Sequence, residues 1–283
     1  MPRVRNHTWS KEQMNRPPSS DVPNKDIACA RGVPRGGGAV PRTVSTERGR
    51  IINGVDAAPG EFPFQLSVQL DFLGTYIHAC GASILNEFWA VTAAHCFEMG
   101  GYYAILAGTT SLVQGGSMIN ISETIIHPQY DSSNSWINDI ALIKVATPFV
   151  LDGTTMGTIR LPAQGQETPE GSSVTVIGWG TTSFGGSSPA ELQKVDIVVW
   201  NQELCSSLYW DGFEYPVYPT MICAGGVEQQ AGSCNADSGG PLFHEGVLVG
   251  IVSWSYNCGE PPYPDVFTRV SSYVDWINQY ITA

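Results

Sequence analysis

Between residues 51 and 270 the chain alternates short apolar runs with turn-forming residues. The runs are Gln65–Leu70, Ala82–Leu85, Ala104–Leu106, Ile140–Val145, Val174–Ile177, Lys194–Val199, Leu248–Trp254 and Asp265–Val270. Short runs rich in Val, Ile or aromatic residues and bounded by Gly, Pro or Ser have the pattern of β-strands. Helical periodicity is scarce. Asn201–Leu208 fits a short helix, with Asn201 as cap and Glu203 in its first turn. Ser271–Ile281 fits a second, with Ser272 as cap and Val274, Ile277 and Ile281 on one face. Many strands without long helices predict an all-β chain built as closed barrels or a sandwich. Residues 1–50 lack this texture. They are polar, broken by Pro and Gly (Gly36-Gly37-Gly38 among them), and read as a disordered or weakly ordered leader.

Charge divides the chain at the same place. Ten of the fourteen Lys and Arg, but only four of the 26 Asp and Glu, lie in residues 1–50. The remaining body keeps four basic residues, Lys144, Arg160, Lys194 and Arg269, against 22 acids. Such a body repels nucleic acid and anionic lipid and favours cationic partners. No apolar run approaches the ~18–20 residues of a membrane span. Neither nucleic acid nor a membrane is therefore expected as a partner.

Seven cysteines stand at positions 29, 80, 96, 205, 223, 234 and 258, and none forms a Cys-x-x-Cys pair. Zinc-ribbon spacing is absent. Six lie in the acidic body and suffice for three bridges, which points to an oxidising compartment; spacing alone leaves all pairings open. Secretion is expected on this ground, although Met1–Asn15 has no apolar stretch of a secretory signal. Asn6-His7-Thr8 and Asn120-Ile121-Ser122 are glycosylation sequons.

Candidate chemistry centres on Gly232-Ser233-Cys234-Asn235-Ala236-Asp237-Ser238-Gly239-Gly240-Pro241. By itself this stretch is compatible with a Gly/Ser surface turn. A serine becomes a nucleophile only when a base takes its proton and donors await the oxyanion. His95, in Thr92-Ala93-Ala94-His95-Cys96, and Asp139, in Asn138-Asp139-Ile140-Ala141-Leu142, offer the base and its orienting carboxylate. Taken singly, each is as well explained as a core histidine or a turn aspartate. The order His, Asp, Ser argues against an α/β-hydrolase, as does Ala236 where the nucleophile elbow needs glycine.

From Ile51 to Ala283 the chain resembles a chymotrypsin/trypsin-like serine protease. The resemblance rests on Arg50-Ile51-Ile52-Asn53-Gly54, Thr92–Cys96, Asp139–Leu142, Gly178-Trp179-Gly180, Asp237–Pro241, Ser253-Trp254 and Phe267-Thr268-Arg269-Val270. It implies two six-stranded antiparallel β-barrels, about 51–160 and about 161–270, a C-terminal helix at 271–281, and a propeptide at 1–50. It also implies the bridges Cys80–Cys96, Cys205–Cys223 and Cys234–Cys258. His95, Asp139 and Ser238 become the catalytic residues, and the backbone N–H groups of Ala236 and Ser238 the oxyanion hole. Cleavage after Arg50 by a trypsin-like protease would free the Ile51 ammonium to pair with Asp237. Before cleavage Asp237 is expected to be held by Ser67 and His78. Protein or peptide substrates and protein inhibitors are the expected partners of a monomer without cofactor. Cys29 has no partner in the family's usual slot before Leu161-Pro162.

Three departures bear on function. If φ is positive at Ala236, where the family has glycine, alanine there costs about 1–2 kcal/mol, so a weakly active enzyme or a non-catalytic binding module stays open beside the enzyme. The acid that trypsin-like members place at the pocket floor is absent, because Gly232 stands there next to Ser233. Asp265 occupies a pocket-wall position usually held by a small residue, and Ser255 replaces a usual glycine at the entrance. Gly232 with Asp265 resembles the broad-specificity collagenolytic proteases of crustaceans, implying cleavage after basic, Leu, Gln and aromatic residues. Ser253, Trp254 and Ser255 would line the extended substrate. If Asp265 is consumed by local hydrogen bonds, selectivity becomes chymotrypsin- or elastase-like instead. The family's calcium loop matches Ala107–Ser122, which has no Asp or Glu, so no metal is expected there.

Overall fold

The computed structural model describes residues 54–181, 186–226 and 230–282. The expected cleavage point Arg50–Ile51 and the leader with Cys29 lie outside them. Among the described residues two antiparallel barrels account for nearly all strands. The first closes in the order β2 (Gln65–Phe72), β3 (Thr75–Ile84), β4 (Trp89–Thr92), β7 (Ala141–Val145), β6 (Ser117–Ile126), β5 (Tyr103–Ala107). The second runs β9 (Gln193–Val199), β10 (Met221–Gly225), β13 (Asp265–Arg269), β12 (Val247–Trp254), β11 (Pro241–His244), β8 (Ser173–Gly178), and β8 pairs back onto β9. Two closed six-stranded barrels leave no long unpaired edge.

The segments flanking the two barrels are exchanged between them. β1 (Val55–Asp56) adds to β9 of the second barrel, although it precedes the first. At the other end, α2 (Val274–Ile281) buries Val274 and Ile277, and Ile277 packs in the same apolar cluster as Leu66, Ile84 and Ile143. Asn86 Nδ2 donates to Ile281 O at 3.1 Å and holds the helix end. Each of these two segments braces the barrel to which its neighbouring strands do not belong.

Both helices differ in detail from the sequence pattern. α1 spans Gln202–Phe213, five residues beyond the expected end; Asn201 does cap it, accepting from Leu204 N at 2.9 Å. Ser272 is not a cap. Residues Val270–Ser272 form a 3-10 turn, and α2 starts after Tyr273 without a side-chain cap. The structure contains Cys80–Cys96, Cys205–Cys223 and Cys234–Cys258. Five strands had no clear signal. β6 is mostly exposed, so it lacks an apolar alternation, and β11 opens on a proline.

Beside Ser238 the barrels meet backbone to backbone. Gly81 N donates to Ser238 O at 2.8 Å. A Cβ on Gly81 would stand 2.7 Å from Gly240 Cα and 3.0 Å from Gly240 N. Backbone cannot yield as a flexible side chain does. Gly81→Ala should therefore lower stability by about 1–3 kcal/mol, seen as a reduced urea midpoint at unchanged slope. An unchanged midpoint would mean that the junction is not closely packed.

Candidate active site

The junction places His95 and Asp139 of the first barrel against the loop that carries Ser238. His95 lies in a 3-10 turn, Ala94–Phe97, directly after β4, and Cys80–Cys96 ties that turn to β3. Asp139 precedes β7 and is almost wholly buried. Its Oδ2 meets His95 Nδ1 at 2.7 Å and its Oδ1 accepts from His95 N at 3.0 Å. Because a carboxylate only accepts, Nδ1 carries the proton and Nε2 is left as the base in the neutral ring. Ser253 Oγ also donates to Oδ2, at 2.5 Å, and Thr268 Oγ1 donates to Asp139 O at 2.7 Å. Both come from the second barrel. Burial disfavours charge on His95, but the charge and hydrogen bond of Asp139, with Glu98 adding its charge, raise the pKa above the ordinary value.

Ser238 is half-buried and reaches the site through its neighbours. Its carbonyl is held by Gly81, and a Cβ on Gly239 would meet Thr92 Oγ1 at 2.1 Å, so the turn rests on the end of β4. No hydrogen bond joins Ser238 Oγ to His95 Nε2 here; the side-chain bond of His95 runs to Asp139. Resting sites commonly leave this contact long and tighten it with substrate. Among the described residues, the N–H groups of Ala236 and Ser238 have no acceptor, whereas the intervening Asp237 N bonds Cys234 O at 2.9 Å. Ala236 has φ of +73°, so the strain foreseen for an alanine is present.

In this structure Ser67 and His78, expected to hold Asp237 before cleavage, engage the neighbouring Ala236 instead. His78 Nε2 faces Ala236 O at 2.9 Å and its Nδ1 faces Ser67 Oγ at 2.7 Å. A carbonyl only accepts, so Nε2 carries the proton and Ser67 donates to Nδ1. Gln69 Nε2 donates in turn to Ser67 Oγ at 2.7 Å. Burial pushes the His78 pKa down to about 4. The chain Gln69–Ser67–His78 thus pins the carbonyl of the strained Ala236. Asp237 turns the other way, accepting from Gly180 N at 2.7 Å and Cys234 N at 2.8 Å. A Cβ on Gly180 would come within 2.2 Å of Asp237 Oδ2. Asp237 is fully buried, and burial raises its pKa to about 7 against those two bonds.

Gly232, Ser233 and Asp265 are buried against one another, and the Ser255 hydroxyl also acts on the Asp265 carboxyl. Asp265 Oδ2 accepts from Ser233 N at 2.6 Å and Ser233 Oγ at 2.8 Å, while its buried Oδ1 has no partner. A Cβ on Gly232 would lie 2.3 Å from Asp265 Oδ2. A side chain at 232 and the carboxylate of 265 therefore compete for one space. Burial pushes the Asp265 pKa up to about 7, against the hydrogen bonds from Ser233 and Ser255. Trp254 closes β12 and is braced by Tyr209 of α1, ring to ring at 4.8 Å. Cys205–Cys223 ties that helix to β10.

Some contributors had no sequence signal. Trp136 tilts over Trp254 with centroids 6.1 Å apart, yet it sits in a loop without periodicity. Ser253 was legible as substrate-lining; its bond to Asp139 was not. Sulfurs of Cys80 and Cys96 lie near His95, but they are bonded to each other and offer no thiolate to a metal.

Comparison with known proteins agrees with this geometry. Residues 51–277 match the Trypsin family model. The chain belongs to the trypsin family of serine endopeptidases. Among similar proteins, Trypsin-1 of Astacus astacus is 44% identical over 239 residues, covering 80% of this chain and 98% of that protein. Trypsin Blo t 3 of Blomia tropicalis is 39% identical, covering 81% and 85%. Trypsin of Phaedon cochleariae is 38% identical, covering 81% and 87%. Among the described residues no helix is long and apolar enough to cross a membrane.

The histidines give a direct check. By NMR, His95 should titrate above the ordinary ~6.5, and Asp139→Asn should bring it below that value, because burial then acts without the opposing carboxylate. His78 should stay neutral throughout this range. A His78 that protonates near pH 6.5 would contradict its burial against Ala236 O.

Proposed function

We propose that the protein is a secreted endopeptidase, made as a precursor, that cleaves polypeptides after basic and large neutral residues through an acyl-enzyme on Ser238. The observation that carries this reading is the meeting of the Asp139–His95 pair with the Ser238 turn, whose two N–H groups are free to receive an oxyanion. His95 takes the Ser238 proton as Oγ attacks the carbonyl carbon. The oxyanion accepts from Ala236 N and Ser238 N. Imidazolium, stabilised by Asp139, then gives its proton to the leaving amine; water repeats the sequence to release the acid. Three disulfides support an oxidising compartment. After activation with trypsin, a serine-directed phosphonate should add to Ser238. Absence of the adduct despite Arg50–Ile51 cleavage would favour a binding module, the reading that the strained φ of Ala236 keeps open.

Asp265 supplies the specificity. One oxygen is satisfied by Ser233, and the free Oδ1 can accept from a P1 Arg or Lys. Gly232 leaves the floor uncharged, so neutral side chains also fit. With its pKa near 7, Asp265 is protonated below that pH in the empty pocket and ionised above it. The ratio of kcat/KM for Arg over Leu substrates should therefore climb between about pH 6 and 8. Titration of His95 affects both substrates alike and cancels. Asp265→Gly should flatten this curve and cut Arg cleavage by about 10–100-fold, with little change for Leu. Equal losses for Arg and Leu would instead support chymotrypsin- or elastase-like selectivity.

Activation follows from Asp237. No described cation pairs with its buried carboxylate, and the Ile51 ammonium released by cleavage after Arg50 would supply one. An α-amino group has a reference pKa of ~7.7–8.0, raised by such a pairing. Activity should then fall on the alkaline side of that range as the ammonium loses its proton, and Asp237→Asn should abolish the gain from cleavage. A flat profile to high pH would contradict the pairing. Protein inhibitors that occupy the same cleft, and a monomeric state, complete the reading.

A further inference from the structure

Asn120-Ile121-Ser122 is the single Asn-x-Ser/Thr triplet in residues 51–283, and the catalytic machinery does not use it. It lies within β6, where Ile119 is buried in the core of the first barrel and Ile121 packs against that core. Side chains alternate across a strand, so Asn120 points outward. Both Asn120 and Ser122 are exposed.

The fold does not account for an asparagine at this position. Asn is depleted in strands, because its short amide competes for backbone hydrogen bonds and packs poorly on the pleat. Elsewhere the chain puts this amide to structural use. Asn86 accepts from Phe88 N and Trp89 N, and Asn201 caps α1. Asn138 donates to Gln129 O and accepts from the Tyr273 hydroxyl, and Asn134 accepts from the Tyr218 hydroxyl. The Asn120 amide has no hydrogen-bond partner among the described residues. Only its backbone is engaged, paired with Ala104 and accepting from Ala146 N at 2.8 Å. In the barrel's register Asn120 lies opposite Ala104, and Ala104 opposite Gln69. Gln69 and Ala104 are covered, at 5% and 2% exposure, whereas Asn120 is open. Gln69 belongs to the chain that pins the Ala236 carbonyl. Two strand spacings, about 10 Å, separate it from Asn120. A group carried on Asn120 therefore stands at the open end of this row, outside the contacts that hold the site.

We propose that Asn120 is a modification site that carries an N-linked glycan, held on the open flank of the first barrel and clear of the catalytic contacts. This rests on the secreted reading above, because the transferase and its donor work in the secretory lumen. The donor is an oligosaccharide joined through its terminal N-acetylglucosamine to a lipid diphosphate. Asn120 Nδ2 bonds to C1 of that sugar as the C1–O bond to the diphosphate breaks. The lipid diphosphate leaves with the electron pair, and one Nδ2 proton passes to a base of the transferase. Ser122 supplies the hydroxyl that the acceptor triplet requires, and Ile121 is not the proline that would block it. Transfer precedes folding of the strand, and the outward side chain lets the barrel close with the glycan outside.

The test uses the full chain, expressed in insect cells behind an added secretory signal and activated with trypsin. The body is then reduced and separated from the leader, which carries the other sequon, Asn6-His7-Thr8. Mass spectrometry should find the body heavier than its polypeptide by one glycan. Peptide-N-glycosidase should remove the excess and leave aspartate at position 120. Asn120→Gln and Ser122→Ala should each abolish the excess, and Ser122→Thr should keep it. Before reduction, hydrolysis of an arginine anilide by the glycosylated enzyme and by Asn120→Gln should agree within about twofold, the scale of a surface change away from a site. A secreted, disulfide-bonded body of bare polypeptide mass overturns the glycan and leaves the secreted reading standing. A many-fold change in anilide hydrolysis on Asn120→Gln overturns its placement clear of the site. A body that passes through the secretory route with its cysteines still reduced overturns the secreted reading, and the glycan with it.

Discussion

The carboxylate of Asp139 is the interaction on which the site depends. It is buried where the two barrels touch, and no water is needed to satisfy it because three donors converge on its oxygens. Two come from His95 in the first barrel and one from Ser253 in the second, while Thr268 takes its carbonyl. An unpaired buried carboxylate costs several kcal/mol, so each of these contacts is enforced by the others. The geometry of His95 is thereby a consequence of barrel docking. The same docking seats Ser238, through Gly81 on its carbonyl and Thr92 under Gly239.

Two further buried acids follow the same logic with different partners. Asp237 and Asp265 each accept from backbone N–H groups, and each sits where a neighbouring Cβ would collide: Gly180 for Asp237, Gly232 for Asp265. Glycine at these positions makes room for a charge, and burial leaves both carboxyls near neutrality in their pKa. A carboxyl poised there responds strongly to one added cation. For Asp237 that cation is proposed to be part of the chain itself; for Asp265 it is proposed to be the substrate.

Much of this was legible in the sequence, and the remainder was hidden for physical reasons. Many core-facing strands announced themselves by apolar runs, but the short buried β4 and β10 did not, and neither did β6, exposed along most of its length. Local motifs around His95, Asp139 and Ser238 were distinctive because each turn must fit backbone against backbone. Long-range partners were not visible. That His78 takes Ala236 O, with Asp237 turned toward Gly180, depends on which of two adjacent residues faces β3. Trp136 and the second role of Ser253 depend on loop placement, which carries no periodicity.

Pre-steady-state release from an active-site-directed nitrophenyl ester tests the central dependence on Asp139 most directly. The account predicts that the activated wild type releases a burst of about one nitrophenol per chain before steady turnover, the mark of acyl-enzyme accumulation. Asp139→Asn, folded to the same extent by circular dichroism, should lose the burst, because its His95 no longer holds the proton on Nδ1. A burst of undiminished rate and amplitude in Asp139→Asn would contradict the account.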